Sequence, residues 1–150
     1  MTYRLKHQAI EEIYEFQKIE IEDITKLSIV MLDSIKGTCE YVGETLKDIV
    51  EEIDSVVSGS FAPYIFDASY QIKQKDQIVA AIMISFYEGY PLISEIFTKK
   101  QNQGSGMAAS LIKKSVNSLL EIGYKELTLN VEPRNTAALN LYEKIGFEKE

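Results

Sequence analysis

Apolar residues recur along this chain at helical spacing in four places, and the stretches between them are short apolar or alternating runs. Ile24, Leu27, Val30, Met31 and Ile35 predict a helix that starts near Asp23 and stops at Gly37. Leu46, Ile49, Val50, Ile53, Val56 and Val57 predict a second, opened by Thr45 with Asp48 three residues on and closed at Gly59. Met107, Ala108, Leu111, Ile112, Val116, Leu119 and Leu120 give a third, which Gly123 ends. A fourth spans roughly Thr136 to Lys144. Strands are expected at Ile13–Ile21, Tyr64–Lys73, Gln77–Tyr87, Leu92–Thr98 and Lys125–Val131, with turns at Lys75-Asp76 and at Glu88 to Pro91. Residues 1–11 show no clear period and are either an extra strand or a loose arm. The order β-α-α-β-β-β-α-β-α is α+β, a mixed sheet flanked by helices in a single domain over residues 1–150.

One junction carries chemistry. The strand at Leu92–Thr98 runs into Gln101-Asn102-Gln103-Gly104-Ser105-Gly106 and then into the third helix. Strand, glycine-bearing turn and helix together aim main-chain N–H groups and the positive end of a helix dipole at one point, a ready place for a phosphate or diphosphate. Glycine also serves plain turns, so an ordinary helix entry is the competing reading. No Gly-Lys-Ser/Thr closes the turn as a Walker loop would, and Gly-x-Gly-x-x-Gly is incomplete.

Composition narrows the field. A formal net charge of −7, with Arg4 and Arg134 the only arginines, argues against nucleic acid as a partner. No run of about 18 apolar residues suggests a membrane span, and Met1 is not followed by a basic-then-apolar leader. A single cysteine, Cys39, excludes an internal disulfide and fits a reducing, cytoplasmic setting. With one cysteine and one histidine, no metal site is expected.

Order and turn together resemble the Gcn5-related N-acetyltransferase (GNAT) superfamily, whose members move an acetyl group from acetyl-CoA to an amine. The family's acyl-CoA motif, Gln/Arg-x-x-Gly-x-Gly/Ala, fits in two registers, one starting at Gln101 and one at Gln103. The second is preferred because it gives Gly106-Met107-Ala108 and sets Leu111-Ile112 where the family's helix has its apolar pair. About 30 residues on, Asn135, Ala138, Leu141, Tyr142, Gly146 and Phe147 match the family's C-terminal pattern at every fixed position.

The resemblance implies a GNAT-like acyl-CoA N-acyltransferase fold with acetyl-CoA as co-substrate. It implies that Gln103, Gly104, Ser105, Gly106, Met107 and Ala108 hold the diphosphate. Main-chain groups of Ile96, Phe97 and Thr98 would run along the pantetheine arm and the acetyl oxygen, with Asn135 and Ala138 beside that arm. Tyr142 matches the general acid that protonates the departing sulfur. Glu95 is the first candidate for general base, against an equal reading in which it faces solvent or pairs with a lysine. Asn130 stands where some peptide-acetylating members carry a glutamate, and Glu132 is a poorer candidate.

The acceptor would be a primary amine of a small molecule or a peptide. A non-catalytic acyl-CoA-binding module is the alternative, disfavoured by Tyr142, since a pure binder needs no proton donor. Family members usually continue past Gly-Phe into a strand pair that walls the acceptor site, whereas three residues follow Phe147 here. The expected consequence is an open acceptor side, or one closed by a partner in a homodimer or by the N-terminal arm. The loop from Lys36 to Thr45, with Cys39, Tyr41 and Glu44, is either a substrate-contacting segment or an ordinary connector.

Overall fold

The computed structural model describes residues 1–10 and 13–150. Among the described residues six strands form one sheet: β1 (Thr2–Arg4), β2 (Glu15–Lys18), β3 (Tyr70–Gln74), β4 (Gln77–Tyr87), β5 (Tyr90–Thr98) and β6 (Glu126–Leu129). Their spatial order is β1-β6-β5-β4-β3-β2, with β5 and β6 parallel and every other pair antiparallel. Helices α1 (Ile24–Ile35) and α2 (Leu46–Val57) cover one face; α3 (Met107–Ile122) and α4 (Thr136–Ile145) cover the other. The mixed α+β architecture expected from the periodicity is the one observed.

Each layer is held by the stripe that predicted it. Leu27, Ile49 and Ile53 pack with Met83 and Phe97 on the first face, and Leu111, Ile112, Val116 and Leu119 pack with Ile72, Ile82 and Ile84 on the second. Covered on both sides, β4 is buried from Ile78 to Ser85. Burying each such aliphatic side chain contributes about 1.5–3 kcal/mol, so this strand fixes the sheet. Both hairpins turn through two residues in the left-handed region, Lys75-Asp76 and Glu88-Gly89, the geometry that matches strand twist.

The sequence overstates three strands. β2 keeps only Glu15–Lys18 of the expected Ile13–Ile21, because Ile13 and Ile21 are exposed and a 3-10 turn begins at Ile21. β3 starts at Tyr70, not Tyr64; a 3-10 turn at Phe66–Ala68 intervenes, and Tyr64 makes one isolated bridge to Ser85. β6 is Glu126–Leu129, shorter than Lys125–Val131. Of residues 1–11, Thr2–Arg4 form a strand, and Glu11 lies outside the described residues.

Beside β6 the structure shows the N-terminal segment in place. β1 runs antiparallel to β6 with Tyr3 opposite Leu127, and Thr2 bridges to Glu148 on its other side. The Tyr3 ring packs at a tilt 5.3 Å from Phe147 and lies against Gly146, where an added Cβ would come within 2.8 Å of the ring.

Two irregularities in β5 shape the site. Glu95 faces Met83 and Ile93 faces Ile84, so Ser94 is an extra residue in β5, a bulge whose hydroxyl donates to the Met83 carbonyl at 3.0 Å. The bulge reverses the alternation: Ile93 and Ile96 both face the α3 layer, and Glu95 and Phe97 turn to the α1–α2 face. Pairing with β6 covers only Leu92 and Ile93. Beyond them β5 and β6 part, and among the described residues β5 from Ser94 to Thr98 has a strand neighbour on the β4 side alone.

Candidate active site

Where β5 and β6 separate, a cleft of about 730 Å³ opens. Its walls bring together Glu95, Ile96, Phe97, Thr98, Gln103, Gly104, Gly106, Met107, Ala108, Asn135, Ala138 and Tyr142, residues from three separate parts of the chain. Of the residues expected at the diphosphate and along the pantetheine arm, Ser105 is the one outside that wall; its hydroxyl turns back to the Asn102 carbonyl.

The turn into α3 is built by positive φ angles. Gly104 and Gly106 sit at φ 81° and 83°, and Gly106 is the residue that opens α3. A side chain is strained there, and none is in the way: an ideal Cβ on Gly106 would meet nothing within 4 Å. Gly106 stands at the helix start and Ala108 in its first turn. Gln103 itself donates its side-chain amide to the Thr98 carbonyl at 3.0 Å, tying the turn to the end of β5. The Lys100 amide donates to Asp33 at 2.9 Å, tying it to α1 as well.

Among the described residues, no protein acceptor engages the amides of Gly104, Ser105, Gly106, Met107 and Ala108, and no side chain caps α3. Buried donors without partners are costly, so such a row belongs facing solvent or an anion. One further group is open: the Asn102 side-chain oxygen, in the same wall, is buried without a donor among the described residues.

Opposite the turn, Tyr142 on α4 is 8% exposed and packs edge-on to Phe147 at 5.9 Å. Burial, helped by the negative charge of Glu40, pushes its phenol up to about 12. It therefore keeps its proton through any ordinary assay range. Glu95 reaches the cleft half-buried. Burial comes first among the causes that hold its carboxyl well above the usual carboxylate range; the Glu52 carboxyl beside it and the charge of Glu40 add to it. No lysine pairs with Glu95 among the described residues, and it does not lie open to solvent. Glu132, by contrast, is held by Arg134 at 2.7 Å with its pKa lowered, and is poorly suited to accept a proton.

Asn135 has a double task. Its side-chain oxygen caps α4 by accepting from the Ala138 amide at 3.1 Å, and its NH₂ donates to Glu40 at 3.3 Å. Arg134 reaches the Cys39 carbonyl at 3.4 Å. The loop between α1 and α2 is thereby strapped to the loop before α4, across the cleft. Asn135→Ala should lower stability by about 1 kcal/mol through loss of the cap, read as a fall in the urea midpoint.

Glu40 and Glu52 were not legible as site residues. Glu52 lies on the polar side of the α2 stripe and Glu40 in a loop without period, so only tertiary packing brings them to Glu95.

The family model described as Acetyltransferase (GNAT) family matches residues 36–147, three-quarters of the chain. The chain belongs to this family. Similar to this acetyltransferase is N-alpha-acetyltransferase 30 of Schizosaccharomyces pombe, 26% identical over 120 residues that cover 71% of this chain and 80% of that one. A crystal structure of a protein from Pyrococcus horikoshii OT3 matches with a TM-score of 0.74 at 27% identity, over 91% of this chain and 90% of its own. The PaiA N-acetyltransferase of Thermoplasma acidophilum, solved in complex with coenzyme A, shares the fold at a TM-score of 0.73, 19% identity and 91% coverage of both chains. No helix among the described residues of this acetyltransferase is long and apolar enough to cross a membrane.

Proposed function

We propose that this chain transfers the acetyl group of acetyl-CoA directly to a primary amine of a peptide or small molecule, with Tyr142 as general acid and Glu95 as general base. The observation that carries this is the row of acceptor-free amides from Gly104 to Ala108 in the same cleft as Tyr142 and Glu95. The residues present fit coenzyme A. A diphosphate answers the bare amides, and the open space at the Gly106 Cβ position leaves room for it. The β5 edge from Ser94 to Thr98, without a second strand neighbour, suits the amide-bearing pantetheine arm.

Acetyl-CoA, when bound, supplies the reactive thioester. Main-chain groups of β5 orient its carbonyl, and one well-placed donor to the developing oxygen charge is worth about 3–4 kcal/mol. Glu95 draws a proton from the acceptor ammonium; its raised pKa brings its basicity closer to working pH. Tyr142 delivers its phenolic proton to the leaving sulfur. A 26% identical relative named as an N-alpha-acetyltransferase supports a peptide α-amine among the acceptors to try first. The single, exposed Cys39 supports a cytoplasmic setting. With β1 along β6, the acceptor side needs no second copy of the chain at that edge.

The test is thiol release from acetyl-CoA with a panel of free-amine peptides and small amines, using N-acetylated peptides as controls. Release that depends on a free amine is expected; coenzyme A binding with no release across the panel would remove the catalytic assignment. Glu95 also sets a pH dependence. It acts only when ionised, so the rate should climb with pH through its raised pKa, and Glu95→Gln should flatten that limb. A folded-state pKa raised above its unfolded value contributes stability that is present below the unfolded pKa and is lost as pH rises through the folded one. Glu95→Gln should therefore raise the melting temperature at about pH 8 and leave it unchanged at about pH 4, near the unfolded carboxyl value.

A further inference from the structure

We propose that Tyr14 is a positioning residue for the diphosphate-binding turn, a role that rests on the coenzyme A assignment above. Tyr14 lies just before β2, in the segment that links β1 on one edge of the sheet to β2 on the other. Within that segment Gln8 lies against α3, where it and Asn117 exchange two hydrogen bonds, 2.8 and 2.9 Å long. The Tyr14 hydroxyl donates to the carbonyl of Ser105, 91 residues away.

The peptide plane explains why this matters. The Ser105 carbonyl and the Gly106 N–H belong to one planar trans unit and point in opposite directions. Pinning the carbonyl outward to Tyr14 turns the Gly106 N–H inward. The structure agrees on both sides: Gly106 lines the cleft with its amide unengaged, and Ser105 does not line it. The turn needs such a pin. With glycine at 104 and 106, both in the left-handed region, little resists rotation of this peptide unit, and a rotated unit would present a carbonyl oxygen to an anion. Tyr14 itself is anchored, half-buried and edge-on to Phe16 at 6.5 Å.

Tyr14→Phe removes the hydroxyl and keeps the ring contact. Isothermal titration of the full chain with coenzyme A should show the Kd rising about threefold to tenfold, the value of one hydrogen bond. Titration with pantetheine, which has no diphosphate, followed by NMR, should give the same Kd for variant and wild type. A general loosening of the fold would weaken both ligands alike, and that result would overturn the proposal. Equal coenzyme A affinity in the two proteins would overturn it alone, leaving the coenzyme A assignment intact. Failure of the wild-type chain to bind coenzyme A would overturn both.

Discussion

Gly106→Val should abolish coenzyme A binding in a chain that still folds. Gly106 opens α3 at φ 83°, a conformation that costs a residue with a Cβ roughly 1–2 kcal/mol and a β-branched one more. Among the described residues, no atom beyond its neighbours in the chain lies within 4 Å of the new Cβ, so backbone strain is the main cost to the fold. The ligand loses far more. The valine methyls enter the space in front of the bare amides, and the preferred backbone of valine would turn the Gly106 N–H away from it. Titration calorimetry should show at least a hundredfold weaker binding, with a melting temperature only a few degrees lower. Unaltered affinity would remove the diphosphate from this turn.

Tyr142→Phe should lower kcat by about 10²–10³ at saturating acetyl-CoA and leave the coenzyme A Kd within about twofold, in line with the usual contribution of a general acid. The ring stays, so its packing on Phe147 and in the α3–α4 core is kept. Only the hydroxyl goes, and no protein group engages it among the described residues. Since burial holds the phenol up to about 12, the wild-type rate should show no falling limb from Tyr142 below about pH 10. A kcat within threefold of wild type would mean that the sulfur leaves without its help.

What could be read in advance follows from where each signal resides. The four helices were legible because their stripes are local, and the glycine turn and Tyr142 stood out because they match short motifs of the family that the chain resembles. Strand ends were not: the apolar ends of the expected Ile13–Ile21 strand are exposed, and nothing local says that pairing with β3 stops at Glu15 and Lys18. β1 has three residues, and its place is set by β6, more than 120 positions later. Glu95 was a candidate from its neighbours in sequence, yet its face is decided by the Ser94 bulge, a property of the pairing between β4 and β5. The carboxylates that raise its pKa come from α2 and the loop before it. Positions set by local spacing were visible; positions set by register were not.

A crystal structure of the chain with coenzyme A tests the central claim most directly. It should show diphosphate oxygens at hydrogen-bonding distance, about 2.7–3.2 Å, from amides between Gly104 and Ala108, with pantetheine along Ser94–Thr98 and the sulfur next to the Tyr142 hydroxyl. A diphosphate bound away from this turn, with those amides still facing solvent, would contradict the account.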